Sequence, residues 1–152
     1  MKVRIFIDTD VFLDTILDRK PHAVYSNRVL ALCEQNEVEG FTSSLVIANL
    51  YYILKKLSNH EKALLAIQRI GSIIRVLPFT QREIGESASA GFPDFEDGIE
   101  HFIAVNHGLD CIITRNVRDF RKASLGVLTP QEFLQSFIRR DGESEEPNLT
   151  ES

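Results

Sequence analysis

The chain has 152 residues, 43% hydrophobic and 26% charged, with a formal net charge of −5. That length gives one domain with enough interior to bury a core, and the composition is that of an ordinary globular protein. The acidic balance excludes a molecule drawn to nucleic acid by its overall charge, so any such substrate must meet a local basic patch or metal ions.

In chain order, residues 3–7 (Val-Arg-Ile-Phe-Ile) form a short apolar run rich in β-formers, the pattern of a strand buried on both faces. The run stops at Asp8-Thr9-Asp10, where capping of the next helix by Asp10 is the plain structural reading. A helix over 11–17 stops near Lys20-Pro21, and a second covers 22–36 with Val24, Leu30, Ala31 and Cys33 towards one side. Residues 40–43 read as a strand and turn, with Ser43 or Ser44 as the N-cap of a strongly apolar helix over 45–57. A helix over 60–70 follows, carrying Ala63, Leu64, Ile67 and Ile70 at helical spacing. The third strand lies at 74–77 and ends at Pro78. A helix short of large apolar residues runs to Ala90 and is closed by Gly91; another, over 94–107, stops at Gly108. Strands four and five occupy 110–114 and 125–128, and Thr129-Pro130 opens the last helix with proline at its first position. Strands alternating with helices predict a parallel α/β sheet covered on both sides. From Arg139 the sequence turns polar, acidic and aperiodic, which predicts a disordered tail over 139–152 behind a domain of residues 1–138. No apolar run approaches the roughly 20 residues of a membrane span, and the first strand follows no signal-peptide pattern. Cys33 and Cys111 fall in apolar patterns without metal-type spacing, which reads as reduced core thiols in a cytoplasmic protein.

Three segments bring acids to strand ends or helix starts, and in open parallel sheets that edge is where ligands sit. They are Asp8-Thr9-Asp10, then Asp94-Phe95-Glu96-Asp97 after Pro93, then Thr114-Arg115-Asn116-Val117-Arg118-Asp119 after the fourth strand. Each alone has an ordinary explanation, as a helix cap, an acidic first turn or a polar loop. Asp94 and Asp97 share a helix face, so one can cap while the other points into a site. Together, carboxylates from three segments repel one another unless a cation lies among them. Hard divalent cations such as Mg²⁺ take oxygen ligands, usually one or two carboxylates plus water and phosphate oxygens. Such an ion stabilises an in-line phosphoryl displacement. Thr114 and Asn116 add neutral oxygens suited to water or phosphate, and Arg115 and Arg118 suit either a phosphate backbone or solvent. His22, His60, His101 and His107 share no ligand spacing, and Tyr51, Tyr52 and Phe102 read as core or interface rather than base-stacking residues.

The stretches Ile-Phe-Ile-Asp-Thr-Asp-Val-Phe-Leu-Asp, Asp-Phe-Glu-Asp-Gly-Ile-Glu and Ile-Ile-Thr-Arg-Asn-Val-Arg-Asp-Phe resemble, in this order and spacing, the motifs of PIN domains. These are metal-dependent ribonucleases, many of them VapC-type toxins of toxin–antitoxin pairs. The resemblance implies a three-layer α/β/α fold whose central parallel sheet has about five strands in the order 3-2-1-4-5, residues 3–7 in the middle. It implies an endoribonuclease that hydrolyses RNA phosphodiester bonds with Mg²⁺ or Mn²⁺, an antitoxin protein as partner, and a homodimer. For the dimer or the antitoxin, the helix over 45–57 offers Tyr51, Tyr52 and Leu54, which cannot all face one way. Carried over residue by residue, Asp8, Asp97 and Asp119 are the catalytic, metal-binding acids, and Asp94 is a further metal ligand. Asp10, Asn49, Thr114, Arg115 and Asn116 stand around the ions or the substrate.

Two positions depart from the pattern. Asn49 stands where PIN domains usually carry Glu, and Asp10 where they more often carry Asn. An amide offers a neutral oxygen but no charge, so the alternative function is a weak or inactive PIN-fold module that binds a partner or RNA. Asp8-Thr9-Asp10 is also similar to the Asp-x-Asp of haloacid-dehalogenase-like phosphatases, with Asp8 as nucleophile, although Phe12 stands where those carry Thr or Val.

Overall fold

The computed structural model describes residues 1–144. Ile5, Phe6 and Ile7 are wholly buried, so β1 (Arg4–Ile7) needs apolar cover on both faces and takes the middle of the sheet. Its neighbours are β2 (Glu39–Ser43) on one side and β4 (Cys111–Ile113) on the other; β3 (Arg75–Leu77) and β5 (Gly126–Leu128) form the edges. All four pairings are parallel, in the order β3-β2-β1-β4-β5 that the resemblance implied. Helices α1 (Thr9–Ile16), α2 (His22–Glu34), α3 (Ser44–Leu57), α4 (His60–Ile73), α5 (Gln81–Ala90), α6 (Phe95–Asn106) and α7 (Pro130–Ser144) make the three layers. A 3₁₀ turn, Val117–Phe120, follows β4. Among the described residues no helix is long and apolar enough to cross a membrane.

This strand order decides where chemistry can occur. The chain moves from β1 outwards through β2 to β3, then returns to β4 on the other side of β1. Successive connections diverge at β1, leaving a crevice beyond the carboxyl ends of β1 and β4. Ile7 lies beside Ile113 in the register, so the next residues, Asp8 and Thr114, are neighbours at its floor.

Local chemistry agrees with most of the boundaries. Ser43 caps α3, its Oγ accepting from the Val46 N–H at 3.1 Å. Gly91 and Gly108 end α5 and α6 with φ of 70° and 67°, a conformation that favours glycine. The small residues of α5 are explained by close approach to α6: a Cβ on Gly98 would run into Ser87 Oγ, and Ser87 Oγ donates to the Phe95 carbonyl at 2.8 Å.

Two details differ from the sequence reading. The N-cap of α1 is Asp8 rather than Asp10, because the helix begins one residue after the strand ends; Asp10 lies in its first turn. The last helix continues to Ser144, past the change in composition at Arg139, and the rest of the expected tail lies outside the described residues.

Candidate metal centre

Asp8 ends β1 and is 6% exposed. Its backbone N–H donates to the Ile113 carbonyl at 3.0 Å, continuing the parallel ladder for one residue. Its side chain is fixed from two sides: Oδ1 accepts from the Thr9 N–H at 2.8 Å, and Oδ2 from the Thr114 hydroxyl at 2.8 Å. Thr114 is fully buried and also accepts from the Asn116 N–H at 3.0 Å, so it orients Asp8 and ties the next loop.

The α6 helix supplies the opposing acids. Asp94 is its N-cap, Oδ1 accepting from the Asp97 N–H at 3.0 Å, which leaves Asp97 to face the crevice. One turn on is Glu100, 3% exposed. Carboxylate oxygens of Asp8, Asp97 and Glu100 all lie within 4.8 Å of one another. Glu100 is a third acid of this centre, beyond the site residues that the sequence motifs single out. Its signal was present: it follows Asp97 by three residues, on the same helix face.

The three groups cannot all be ionised cheaply. Burial, then the charge of Asp8 and hydrogen bonds to Asp8 and Asp97, hold the Glu100 carboxyl well above the usual range. Burial, with the charge of Asp8 next, pushes Asp97 up to about 7. Asp10, half-buried on α1, also rises to about 7, chiefly through burial and then the Asp8 charge; Arg115 opposes the rise. A positive charge among the three carboxyl groups would relieve that repulsion.

A cleft of about 480 Å³ encloses these groups. Its walls also carry Asp10, Asn49, Tyr52, Asp94, Glu96, Asn116 and Asp119, and among the described residues no Lys, Arg or His lines it. A donor set of carboxylate, amide and hydroxyl oxygens around a buried acid suits a hard divalent cation. Asp119, on the 3₁₀ turn, reaches the cleft and adds to the field at Asp97, but it is not one of the three converging acids. Asn116 is exposed at the rim.

Arg115 is anchored by an ion pair within the fold. Its Nε donates to Asp14 Oδ2 at 2.7 Å and its Nη2 to Asp14 Oδ1 at 3.0 Å, while Asp14 is wholly buried. The guanidinium is therefore committed to the fold and not to a phosphate. Only its backbone serves the site, the N–H donating to Asp10 Oδ2 at 3.2 Å. His101, beside Glu100, accepts the Ser124 N–H on Nε2 at 3.0 Å and so holds the segment after Asp119 against α6. Burial lowers its pKa, consistent with a neutral ring that can accept.

A family model described as PIN domain matches residues 4–118. Ribonuclease VapC1 of Aquifex aeolicus (strain VF5) is 28% identical over 137 residues, covering 87% of this chain and 94% of that protein. Among solved structures, DNA-bound VapBC from Salmonella typhimurium superimposes with a TM-score of 0.66 at 20% identity, over 84% of this chain and 98% of that one. VapBC2 from Rickettsia felis, bound to a promoter DNA fragment, gives 0.65 at 16% identity over 83% and 97%.

Proposed function

Since the chain belongs to the PIN domain family, we propose that it is a divalent-metal-dependent endoribonuclease and the toxin of a toxin–antitoxin pair. The observation that carries this reading is the convergence of Asp8, Asp97 and Glu100 in a cleft that, among the described residues, carries no basic side chain. Family membership sets the phosphatase reading aside.

The residues divide the work by position. Asp8, Asp97 and Glu100 would hold Mg²⁺ or Mn²⁺, with Asp94 and Asp119 adding negative field at the mouth. When bound, the ion supplies the positive field and the activated water for in-line attack on a phosphodiester. Thr114 keeps Asp8 in its rotamer, and Asp10 is held by the Arg115 amide. Water adds to phosphorus, the bond to the 3′-oxygen breaks, and the products carry a 5′-phosphate and a 3′-hydroxyl. Arg118, Arg121 and Lys122 are exposed next to Asp119 and give the acidic chain a local basic edge for the RNA backbone.

The partner reading has its own support. An apolar groove of about 600 Å³ runs between α1, α2 and α4, lined by Phe12, Ile16, Leu30, Leu65 and Ile70 among others, and it suits an apolar segment of an antitoxin. Of Tyr51, Tyr52 and Leu54, some of which were expected at a dimer interface or under an antitoxin, Leu54 is buried in this chain's own core and Tyr51 packs against Tyr52 and His60. Tyr52 on α3 and Phe95 on α6 remain 69% and 49% exposed beside the cleft, and we assign the homodimer contact to them. Light scattering at high micromolar concentration should give twice the 17.3 kDa chain mass; a single-chain mass refutes the dimer. The buried Cys33 and Cys111 accord with a cytoplasmic setting.

The test of the activity is a panel of single-stranded RNAs incubated with Mg²⁺, Mn²⁺ or EDTA, with end-group analysis of the fragments. Cleavage should require the metal and leave 5′-phosphates. Cleavage that persists in EDTA overturns the mechanism. RNA binding without any cleavage transfers the reading to the binding module.

A further inference from the structure

We propose that Glu96, held in place by Asn49, is an additional carboxylate of the cation centre, supplying from α6 the charge that residue 49 on α3 lacks. The inference rests on the metal-centre reading and goes beyond it in assigning both residues. Asn49 Nδ2 donates to Glu96 Oε2 at 2.9 Å, and both side chains line the cleft with Asp8, Asp97 and Glu100.

The pairing is chemically directed. Glu96 is exposed, and a free glutamate there would sample several rotamers in water. An amide N–H donor across the cleft restrains it, whereas a carboxylate at 49 would repel it and an apolar side chain would offer it nothing. The bond also spans the two walls, since Asn49 lies in the second turn of α3 and Glu96 in the first turn of α6. Glu96 is not one of the three converging acids, so it acts through water. A Mg²⁺ ion bound by few carboxylates keeps several waters, and those waters need acceptors at fixed positions. Glu96 is such an acceptor, and Asn49 is a positioning residue that acts through it.

The test is titration of the full chain with Mn²⁺, free ion being read by electron paramagnetic resonance. The proteins are wild type, Glu96→Gln, Asn49→Ala, the double variant, and Asp8→Asn as control, each checked for folding by circular dichroism. Loss of an outer partner of a metal site typically weakens binding 10–100-fold. Glu96→Gln and Asn49→Ala should each weaken Mn²⁺ binding by about 10-fold, at the low end because the pair is exposed. The double variant should be no weaker than Glu96→Gln alone, because Asn49 works only through Glu96. Wild-type affinity in Glu96→Gln, or a double loss equal to the product of the single losses, overturns the inference. If Asp8→Asn loses binding while Glu96→Gln keeps it, the metal centre stands and only this assignment falls. If the wild type binds no Mn²⁺, both fall.

Discussion

Asp8→Asn lowers Mn²⁺ affinity by more than about 100-fold and at the same time raises the melting temperature of the metal-free protein. The first effect has a floor, because removing even an outer partner of a metal site costs about 10–100-fold and Asp8 is a charged member of the converging set. The second follows from repulsion: the Asp8 charge helps to raise Asp10, Asp97 and Glu100 together. Asparagine caps a helix as well as aspartate, and its Oδ1 keeps one of the two acceptor positions that Thr9 and Thr114 use, so the substitution removes the charge at the cost of one acceptor and the relieved repulsion outweighs that loss.

The same groups set the pH dependence. Asp10 and Asp97 have folded pKa values of about 7 against an ordinary 3.8. Between those values the native protein keeps protons that the unfolded chain has released, so stability falls as pH rises from about 4 through about 7, and Glu100, also held above its ordinary value, adds to the same fall. Thermal melts of the metal-free wild type should show that decline, flattened in Asp8→Asn. Saturating Mg²⁺ should stabilise the wild type more at pH 8 than at pH 5. A variant that melts lower than wild type without metal, or binds Mn²⁺ undiminished, contradicts the account.

Arg115→Ala destabilises the fold by about 3 kcal/mol, the lower end of the range for removing one partner of a buried ion pair. Asp14 is wholly buried and receives both guanidinium bonds plus the Ser26 hydroxyl at 3.3 Å, joining α1, α2 and the segment after β4. The lower end applies because the Arg115 side chain is itself 27% exposed. Truncation leaves a carboxylate in the core without its counter-ion. Urea denaturation should show the midpoint fall with an unchanged slope. Asp14→Leu with Arg115→Met should recover most of the loss, since apolar replacement removes the buried charge as well as its partner. A loss below about 0.5 kcal/mol would mean that the pair is solvated and that Arg115 is available to substrate after all.

The contrast between Asp8 and Arg115 marks what a single sequence carries. Strand character, helix stops and the acids at strand ends are local, and Asp8, Asp94 and Asp97 stand where that pattern places them. The partner of Arg115 is 101 residues away, so its commitment to the fold could not be read from a polar loop. Glu100 was legible in part: its place on the Asp97 face is local, but its burial depends on β1 and β4 meeting beneath α6. Asn49 showed only as a departure from a motif. Its contact with Glu96 belongs to the packing of two helices that are distant in the chain. Pattern alone offers Asp10 as the cap in place of Asp8, because it does not fix the strand's last residue to within one position.

The central position of β1 has a consequence for the order of synthesis. Asp8 is made before the hydroxyl that orients it, which follows 106 residues later in the chain. One side of β1 can pair once β2 emerges, but the other waits for Cys111–Ile113. Glu100 likewise finds its buried setting only after that strand has docked. Nascent chains and products of premature termination before β4 therefore carry the first acid without the site around it. The cleft is therefore complete only once the chain has been made through β4.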